Sequence, residues 1–409
     1  MPTRPSTDLA ATVDAYAAHL ARPLDAPGDQ PWVRQSLTRG AAGTALLHIE
    51  RAHAGDGSWH QAHTWIRHAT TDDISATDNT GLYQGAPAVA FTLHTAAADT
   101  RRYHAALTEL DAHLGPLAHK RASAAQERIT RGTPSDFREY DVFFGLTGIG
   151  ALLLRRHPGA GATERVLTSL VELTKPLRTD DGDLPGWWVT HDPHHRDSPQ
   201  YPRGHANFGV AHGIAGPLAL LSHALRRGIT VDGHHAAIHR ICTWFDRWRQ
   251  ESDAGPWWPE WITMADLRSG RPGQRRPGRP SWCYGTPGIT YALQSAGIAL
   301  GDRSRAQAAE DALARCLTDP MQQGRLTDAG LCHGWAGLYQ TVWRAARAAT
   351  APALAAHLPE IAVKLARHAR PSTAPGLLEG DAGTALALHT AAHDQAPTSG
   401  WDTCLLLHA

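Results

Sequence analysis

The sequence predicts an all-α fold built from seven pairs of helices. A short turn of the form Gly-x-x-Gly, with a small residue once in the last place, returns seven times along the 409 residues. Each turn is followed by an apolar stretch rich in Ala and Leu, which are strong helix formers. No run of alternating β-type residues interrupts this rhythm. A linear solenoid and a closed ring of helical hairpins both fit these observations.

The seven turns define the order of the repeats. Their first glycines are separated by 45, 60, 68, 72, 49 and 46 residues. A unit of about 45 residues holds two helices and their turns, so the longer units carry insertions. Because the repeat runs through the whole chain, we expect a single domain over residues 1–409. The first glycines are Gly40, Gly85, Gly145, Gly213, Gly285, Gly334 and Gly380.

Two kinds of helix alternate between these turns. The stretches after the turns, for example residues 43–52, 216–227 and 383–393, are apolar nearly all round, which is typical of a buried inner layer. The stretches that connect the units, such as residues 305–317 and 354–368, are more amphipathic and predict an outer layer. If the inner helices all begin on the same face of a ring, functional side chains should lie on that face, just before the first glycine of certain repeats.

Two insertions lengthen the middle units. Residues 180–206 form a polar stretch with turn residues and several histidines. Residues 268–281 (RSGRPGQRRPGRPS) are rich in Arg, Pro and Gly and predict a flexible basic loop. The basic loop leads directly into Arg279 and Cys283, so it is expected either to be a solvated surface or to overhang a site.

Composition excludes several classes of function. The 39 basic and 39 acidic residues cancel, which removes the electrostatic case for nucleic acid or an anionic membrane as a partner. No stretch reaches the roughly 18 apolar residues of a membrane helix, and the N-terminal segment lacks the apolar run of a signal peptide. Five irregularly spaced cysteines do not form a disulfide framework. We therefore expect a cytoplasmic protein with metal or redox chemistry.

The fifth and sixth turns carry potential metal ligands. Cys283 lies two residues before Gly285, and Cys332 and His333 lie directly before Gly334. Catalytic zinc takes three protein ligands of this kind and keeps one position open. The alternative is that these residues are buried free cysteines and a core histidine. For the remaining cysteines we favour burial: Cys242, Cys316 and Cys404.

The third and fourth turns carry a possible acid–base pair. His212 directly precedes Gly213, in the same register as Tyr284 and His333 in their own turns. Asp141 lies four residues before Gly145. A carboxylate that accepts a hydrogen bond from an imidazole sets its tautomer and raises its basicity. Its place in the repeat distinguishes His212 from the other histidines of the chain.

Together these motifs resemble the LanC-type lanthionine cyclases, over residues 36–393. The resemblance implies an (α/α) toroid or barrel, with seven inner and seven outer helices and one Zn²⁺ at one end of its cavity. It implies that Cys283, Cys332 and His333 are the metal ligands, and that four residues surround the metal: Asp141, His212, Arg279 and Tyr284. The similar stretches are YDVFFGLTG (140–148), NFGVAHGIAG (207–216), SWCYGTPG (281–288), GLCHGWAG (330–337) and GLLEGDAG (376–383).

The activity that the resemblance implies is addition of a peptide cysteine to dehydroalanine or dehydrobutyrine, which forms lanthionine or methyllanthionine. In this mechanism zinc binds and deprotonates the thiol, His212 transfers the proton with Asp141 orienting it, and Arg279 stabilises the developing negative charge. Tyr284 either takes part or only packs the turn. The expected partners are a dehydrated precursor peptide with its leader and a separate dehydratase.

Three alternatives remain open at the level of the sequence. A LanC-like enzyme that adds glutathione or another small thiol to dehydroamino acids would use the same residues. A non-catalytic scaffold that binds peptide in a synthetase complex would not need the full ligand set. An unrelated zinc ring enzyme, such as a prenyltransferase β-type subunit, would need an isoprenoid-binding partner chain.

Overall fold

The computed structural model describes residues 6–23, 30–98, 100–157, 159–180, 182–193 and 195–408. His194 of the polar insertion therefore lies outside the described residues. The α-helices are α1 Ser6–His19, α2 Pro31–Arg34, α3 Ala41–Ala54, α4 Trp59–Ala69, α5 Ala86–Ala97, α6 His104–Arg131, α7 Phe137–Tyr140, α8 Leu146–Arg156, α9 Gly161–Leu173, α10 Ala215–Arg226, α11 His234–Trp248, α12 Met264–Ser269, α13 Thr286–Leu300, α14 Arg303–Thr318, α15 Pro320–Gln323, α16 Trp335–Ala348, α17 Leu358–His368 and α18 Asp381–His393. Short 3₁₀ helices cover Ala355–His357 and Trp401–Leu405.

The alternation of two kinds of helix is confirmed. A helix begins within two residues after the first glycine of every repeat turn, giving α3, α5, α8, α10, α13, α16 and α18. These helices are buried nearly all round: in α5, eleven of twelve residues are buried. In the connecting helix α17 only three of eleven are buried, namely Ile361, Ala362 and Leu365. An apolar stripe of that width covers one side of a helix and leaves the other in solvent.

Close contacts divide the chain into two compact units. In the first, which holds Met1–Leu114, Leu326–Arg347 and Pro352–His408, α3 packs against α4, α5 and α18, and α18 packs against α1 and α17. In the second, which holds Gly115–Arg325, α10 packs against α8, α11 and α13, and α13 packs against α14. Each unit thus repeats one arrangement, in which a buried helix contacts other buried helices and its own amphipathic partner.

The second glycine of the repeat is required by a close approach of backbones. A Cβ atom on Gly43 would lie 1.9 Å from the carbonyl oxygen of Leu37, six residues earlier. The corresponding distance is 2.1 Å at Gly288 and 1.8 Å at Gly383. Any side chain at these positions would force the turn away from the first turn of its helix. The first glycine needs the left-handed region in only some turns, for example Gly285 with φ +95°.

Among the described residues, four short strands depart from the predicted all-helical pattern, and they belong to the second unit. They are β1 Leu177–Thr179, β2 Gly182–Leu184, β3 His205–Asn207 and β4 Trp261–Thr263. β1 pairs with β2 and β3 with β4, both antiparallel, and His205 lies opposite Thr263 in the second pair. The polar insertion, predicted to be a loop, therefore has a strand near each end. The β3–β4 pair fixes the start of the fourth repeat turn.

The basic insertion is anchored at its middle. Its first residues belong to α12, which ends at Ser269. The backbone N–H of Gly273 donates to Asp266 at 2.7 Å, and the side-chain oxygen of Gln274 accepts from the backbone N–H of Glu260 at 3.0 Å. These bonds hold the loop against β4. Among the described helices, none combines the length and the apolar character needed to cross a bilayer.

Candidate metal centre and proton-transfer site

Backbone hydrogen bonds join neighbouring repeat turns in the second unit. The N–H of Val142 donates to the carbonyl of Ala211 at 3.1 Å, which links the third turn to the fourth. The N–H of Val210 donates to the carbonyl of Cys283 at 3.0 Å, which links the fourth turn to the fifth. In both cases the donor is the third residue before its glycine and the acceptor is the second. The side chains that precede the glycines are therefore brought side by side.

The turns of the first unit are joined in a similar way. The N–H of Leu37 donates to the carbonyl of Tyr83 at 3.0 Å, with the same offsets from the repeat glycines. The N–H of Cys332 donates to Leu378 at 2.9 Å, and that of Leu378 donates to Thr38 at 3.1 Å. Thus the sixth, seventh, first and second turns form one hydrogen-bonded series, with Cys332 in it.

The side chains of His212 and Asp141, predicted to act as an acid–base pair, are in hydrogen-bond contact in the second unit. Nδ1 of His212 lies 2.8 Å from Oδ2 of Asp141. The other carboxylate oxygen of Asp141 accepts from the backbone N–H groups of Phe144 and Gly145, at 2.7 and 2.8 Å. The Asp141 side chain is 1% exposed and that of His212 is 19% exposed. Because a carboxylate can only accept, it holds the proton of His212 on Nδ1 and leaves Nε2 as the basic atom.

Aromatic rings enclose the imidazole of His212. The ring of Phe143 lies 4.9 Å from it and the ring of Phe137 lies 5.5 Å from it, centre to centre. Phe143 in turn meets Trp282 edge to face at 6.5 Å. These apolar walls restrict the imidazole to one orientation and lower the local polarity around its pair with Asp141.

Tyr284 is held by a side chain from the neighbouring turn. Nδ2 of Asn207 donates to the phenol oxygen of Tyr284 at 3.0 Å, while Oδ1 of Asn207 accepts from the N–H of Gly209 at 2.9 Å. Burial raises the pKa of Tyr284 well above its ordinary value of 10, against a smaller lowering by Asn207. The phenol is therefore protonated at neutral pH. Since its oxygen already accepts from Asn207, its hydrogen is available to a further acceptor.

Cys283 is buried within the fifth turn. Its Sγ lies 3.5 Å from the hydroxyl oxygen of Ser281, and that hydroxyl also donates to the carbonyl of Tyr284 at 2.7 Å. The thiol is 6% exposed. Because the one hydrogen of the Ser281 hydroxyl is donated to the carbonyl of Tyr284, its oxygen is left to accept from the Cys283 thiol. The turn thus presents one soft ligand whose orientation is set by a neighbouring hydroxyl.

Cys332 and His333 occupy the sixth turn, where both are half-buried. Nε2 of His333 lies 3.6 Å from Oδ2 of Asp328. The other oxygen of Asp328 accepts from the N–H of Gly330 at 2.9 Å, which fixes the carboxylate. Metal-binding histidines commonly direct their second nitrogen toward a carboxylate, and this arrangement leaves Nδ1 of His333 for a ligand.

The three predicted metal ligands are divided between the two compact units. Cys283 lies in the second unit, and Cys332 and His333 lie in the first. Two sulfurs and one imidazole nitrogen form a donor set that zinc accepts, with a fourth position left for another ligand. The residues present therefore fit a zinc ion by donor chemistry.

Arg279 differs from the other predicted site residues because its side chain is exposed. It contributes a positive charge near Glu260, whose pKa is raised by burial and lowered in part by Arg279 and Arg325. Its backbone carbonyl closes the fifth turn, where a Cβ on Gly285 would lie 2.1 Å from it. The described contacts thus place Arg279 at the edge of the fifth turn, with its charge free to face solvent or a substrate.

The other cysteines are buried, as the sequence predicted. Burial raises the pKa of Cys242 to about 11 and that of Cys316 to about 12. Cys404 is buried as well, and its Sγ lies 3.1 Å from the carbonyl of Trp401. Thiols in such surroundings are poor nucleophiles and poor ligands at neutral pH.

The repeat pattern in the sequence did not point to Asn207 or Asp328. Each lies six residues before the first glycine of its turn and accepts the N–H two residues further on. Arg279 occupies the same position in the fifth turn. A comparison of polar residues at this offset, rather than only those next to the glycine, would have found both.

Comparisons with known proteins identify the family and the fold. The family model for lanthionine synthetase C-like proteins matches residues 31–406. Nisin biosynthesis protein NisC of Lactococcus lactis subsp. lactis is 25% identical over 263 residues, which are 63% of this chain and 60% of that protein's length. The solved structure of nisin cyclase matches with a TM-score of 0.78 at 21% identity, covering 98% of this chain and 97% of the other. This likeness confirms the predicted fold class as an all-α helical toroid and not a barrel.

Proposed function

The chain belongs to the lanthionine synthetase C-like family, and from this premise we propose that it is a lanthipeptide cyclase that uses one zinc ion. The reaction adds a peptide cysteine across the double bond of dehydroalanine or dehydrobutyrine. A carbon–sulfur bond forms at the β-carbon, and the α-carbon gains a proton in place of the one that the thiol loses. The observation that carries the proposal is the zinc-type donor set of two thiols and one imidazole, Cys283, Cys332 and His333, which occupies the fifth and sixth repeat turns of a member of this family.

These three side chains would hold the metal. When bound, zinc supplies a Lewis acid that lowers the pKa of an incoming thiol from its ordinary value of about 8.5, so that the thiolate forms at neutral pH. The hydroxyl of Ser281, 3.5 Å from Cys283 Sγ, and the carboxylate of Asp328, 3.6 Å from His333 Nε2, orient two of the ligands. Such supporting groups tune the ligands that they contact.

His212 moves the proton. With Nδ1–H held by Asp141, its Nε2 accepts a proton and returns it to the α-carbon after sulfur has attacked the β-carbon. The buried carboxylate stabilises the imidazolium that forms between these two steps. The hydrogen bonds from the backbone N–H groups of Phe144 and Gly145 keep Asp141 in place during both proton transfers.

Tyr284 and Arg279 stabilise the enolate oxygen that develops after attack. The phenol hydrogen of Tyr284 is available because its oxygen accepts from Asn207. The guanidinium of Arg279 is a permanent cation at the edge of the same turn. A neutral donor and a nearby positive charge both favour a developing oxyanion.

The substrate in this proposal is a dehydrated precursor peptide with its leader, supplied in the cytoplasm by a separate dehydratase. The relative described as a nisin biosynthesis protein supports a peptide substrate of this class. A small thiol such as glutathione would meet the same residues, so the choice between the two substrates is made by experiment.

The test uses a peptide that contains one cysteine and one dehydroalanine. Zinc-loaded protein should remove the free thiol, measured by alkylation and mass spectrometry, without changing the mass of the peptide. With glutathione present, a gain of one glutathione mass would instead support the small-thiol activity. Cys332→Ala should lose activity together with the zinc ion of this site, while Cys242→Ala, which removes a buried thiol of α11, should keep both.

Persistence of the free thiol with the zinc-loaded wild-type protein would contradict the cyclase proposal. Full zinc occupancy in Cys332→Ala would exclude that ligand. Absence of both reactions, with peptide binding retained, would favour the scaffold function.

A further inference from the structure

A second group of ligand side chains lies in the polar insertion, outside the site described above. We propose that Asp136, His191 and His195 bind a second zinc ion, which fastens this insertion to α7. One ligand atom from each residue lies within 4.8 Å of the other two. All three belong to the second unit, and none has a role in the proposed cyclisation.

The separations in this group match a metal site better than a hydrogen-bonded one. Nε2 of His191 and Nδ1 of His195 each lie 3.4 Å from the same oxygen, Oδ2 of Asp136. Nitrogen–oxygen hydrogen bonds in proteins are typically 2.7–3.2 Å long. Ligands that surround zinc tetrahedrally at about 2.0–2.1 Å lie about 3.4 Å from one another.

The hydrogen bonds of His191 leave its Nε2 as a ligand atom. Its Nδ1 lies 2.8 Å from the backbone carbonyl of Asp192, which can only accept, so Nδ1 carries the proton. In the neutral ring Nε2 then has a lone pair, which is buried and has no hydrogen-bond partner among the described residues. A lone pair that faces a carboxylate oxygen is stabilised by a cation between them, either a proton on Nε2 or a metal ion, and the 3.4 Å separation favours the metal ion. A backbone carbonyl on the second nitrogen is also typical of metal-binding histidines.

The carboxylate is held in place for this role. Oδ1 of Asp136 caps α7 by accepting from the N–H of Arg138 at 2.7 Å, which leaves Oδ2 toward the histidines. The rings of His191 and His195 stack at 4.4 Å. Because the carboxylate and the imidazole pair come from separate segments, a metal ion would cross-link the insertion to the helix.

Another His, His and Asp group provides an internal comparison. In the first unit, Nε2 of His389 and Nε2 of His393 lie 3.1 and 2.9 Å from Oδ2 of Asp56. These are ordinary distances for an ion pair or a hydrogen bond, so protons satisfy this group without a metal. In the group of the insertion, by contrast, both nitrogen–oxygen distances are 3.4 Å, which fits a bound metal ion better than a hydrogen bond.

A metal at the insertion would also stabilise the surroundings of the proton-transfer pair. Asp136 and Asp141 flank the four residues of α7. The ring of Phe137 contacts both His191 and His212, at 5.3 and 5.5 Å. Fixing the insertion therefore restricts the helix and the aromatic wall beside His212. This role is a positioning one, and zinc binding can be tested independently of the cyclase activity.

The experiment counts zinc in the purified full chain at a buffered free zinc concentration. Wild type is expected to bind two ions, and His195→Asn one. Asp136→Asn keeps a residue that can cap α7 and should bind the second ion at least about 10-fold more weakly, as even outer-shell losses do. His393→Asn, the matched control from the first unit, should keep two ions.

Cobalt substitution separates this site from the thiolate site. Charge-transfer absorption from thiolate to cobalt should persist in His195→Asn and disappear in Cys332→Ala, which keeps the ion in the insertion. Proteolysis within residues 182–206 should be slowed by zinc in wild type and not in His195→Asn. Equal zinc content in wild type and His195→Asn would overturn the proposal, whether or not the cysteine site binds metal.

Discussion

At the scale of single residues, Asp141 has both carboxylate oxygens engaged, one by its own turn and the other by the next turn. Oδ1 receives two backbone N–H groups and Oδ2 receives the imidazole of His212. A buried carboxylate with this many donors is a fixed acceptor rather than a mobile base. The tautomer of His212 therefore follows from the backbone path of the third turn.

The first prediction concerns this pair. Asp141→Asn keeps an acceptor for Phe144 and Gly145 but places an N–H donor toward His212, which favours the proton on Nε2 and removes the basic atom. We expect turnover to fall about 10²–10⁴-fold, the range for loss of acid–base catalysis. Zinc content should not change. His212→Asn should behave in the same way, and both are measured as cyclisation rates together with elemental analysis.

The matched control is His239→Asn, which replaces an exposed histidine of α11. It should keep the wild-type rate. A normal rate in His212→Asn would remove this residue from the mechanism, whatever the behaviour of Asp141→Asn.

The second prediction concerns the reactivity of the cysteines. Because burial raises the pKa of Cys242 to about 11 and of Cys316 to about 12, almost none of either is thiolate at pH 8. Half-buried Cys332 should therefore be alkylated first once zinc is removed by a chelator, and it should be protected when zinc is restored. Peptide mass spectrometry after timed alkylation measures each site. Labelling of Cys242 or Cys316 as fast as Cys332 would contradict this assignment.

The site residues were predictable to different degrees. Cys283, Cys332, His333 and His212 stand beside repeat glycines, so their register alone brings them to neighbouring turns. Asn207 and Asp328 were missed because they act through Asx-type contacts six residues before the glycine, a position to which the repeat pattern did not draw attention.

At the scale of elements, the repeat turn is a compact loop closed by backbone contact. The helix after it begins so close to the preceding chain that there is no space for a Cβ atom at the second glycine, as at Gly43 and Gly383. This explains why the glycine pair is a better marker of the repeat than any side chain. The helices themselves were predictable because Ala- and Leu-rich stretches follow each turn.

The third prediction is that Gly43→Ala destabilises the first unit. The new Cβ would lie 1.9 Å from the carbonyl oxygen of Leu37, so α3 or its turn must shift. The expected loss is about 1–3 kcal/mol, as for other overpacking substitutions, and urea unfolding measures it.

Gly161→Ala is the control because Gly161 is the first residue of α9, with nothing within 4 Å of its new Cβ. It should leave stability unchanged or raise it by up to about 1 kcal/mol, the helix propensity difference. Equal effects of the two substitutions would show that close approach is not the reason for the repeat glycine.

The strands were not predictable, for a reason that also belongs to this scale. Each is three residues long, and the pairing of His205–Asn207 with Trp261–Thr263 joins segments separated by more than fifty residues. Strands this short have too few residues to show an alternating pattern. Their pairing follows from where α10 and α11 bring the chain back, which is tertiary information.

At the scale of the whole molecule, the repeat made the fold class predictable, because every unit obeys one local rule. The residues inside each repeat are less regular, and they include histidines whose protonation is opposed mainly by burial. His48 of α3 is 1% exposed and His205 of β3 is fully buried. Burial lowers the pKa of each from 6.5 to about 4.

The fourth prediction is an acid-induced loss of stability from these two histidines. Between pH 6.5 and 4 the unfolded chain binds protons that the folded chain does not, so the free energy of unfolding falls as the pH falls. Each histidine contributes on the order of 3 kcal/mol by pH 4. Well above pH 6.5 both histidines are neutral in the folded and in the unfolded chain. They therefore do not lower the free energy of unfolding there. Urea midpoints measured from pH 7.5 to 4.5 should therefore decrease.

His48→Gln separates this contribution from the carboxylates that titrate in the same range. Glutamine can still donate to the carbonyl of Leu20, which His48 Nε2 meets at 2.8 Å, but it does not titrate. The variant should show a shallower decrease with falling pH than wild type, and the exposed substitution His239→Gln should leave the slope unchanged. Parallel slopes for wild type and His48→Gln would mean that the buried imidazole does not oppose protonation, and the acid sensitivity would then have to come from the paired carboxylates.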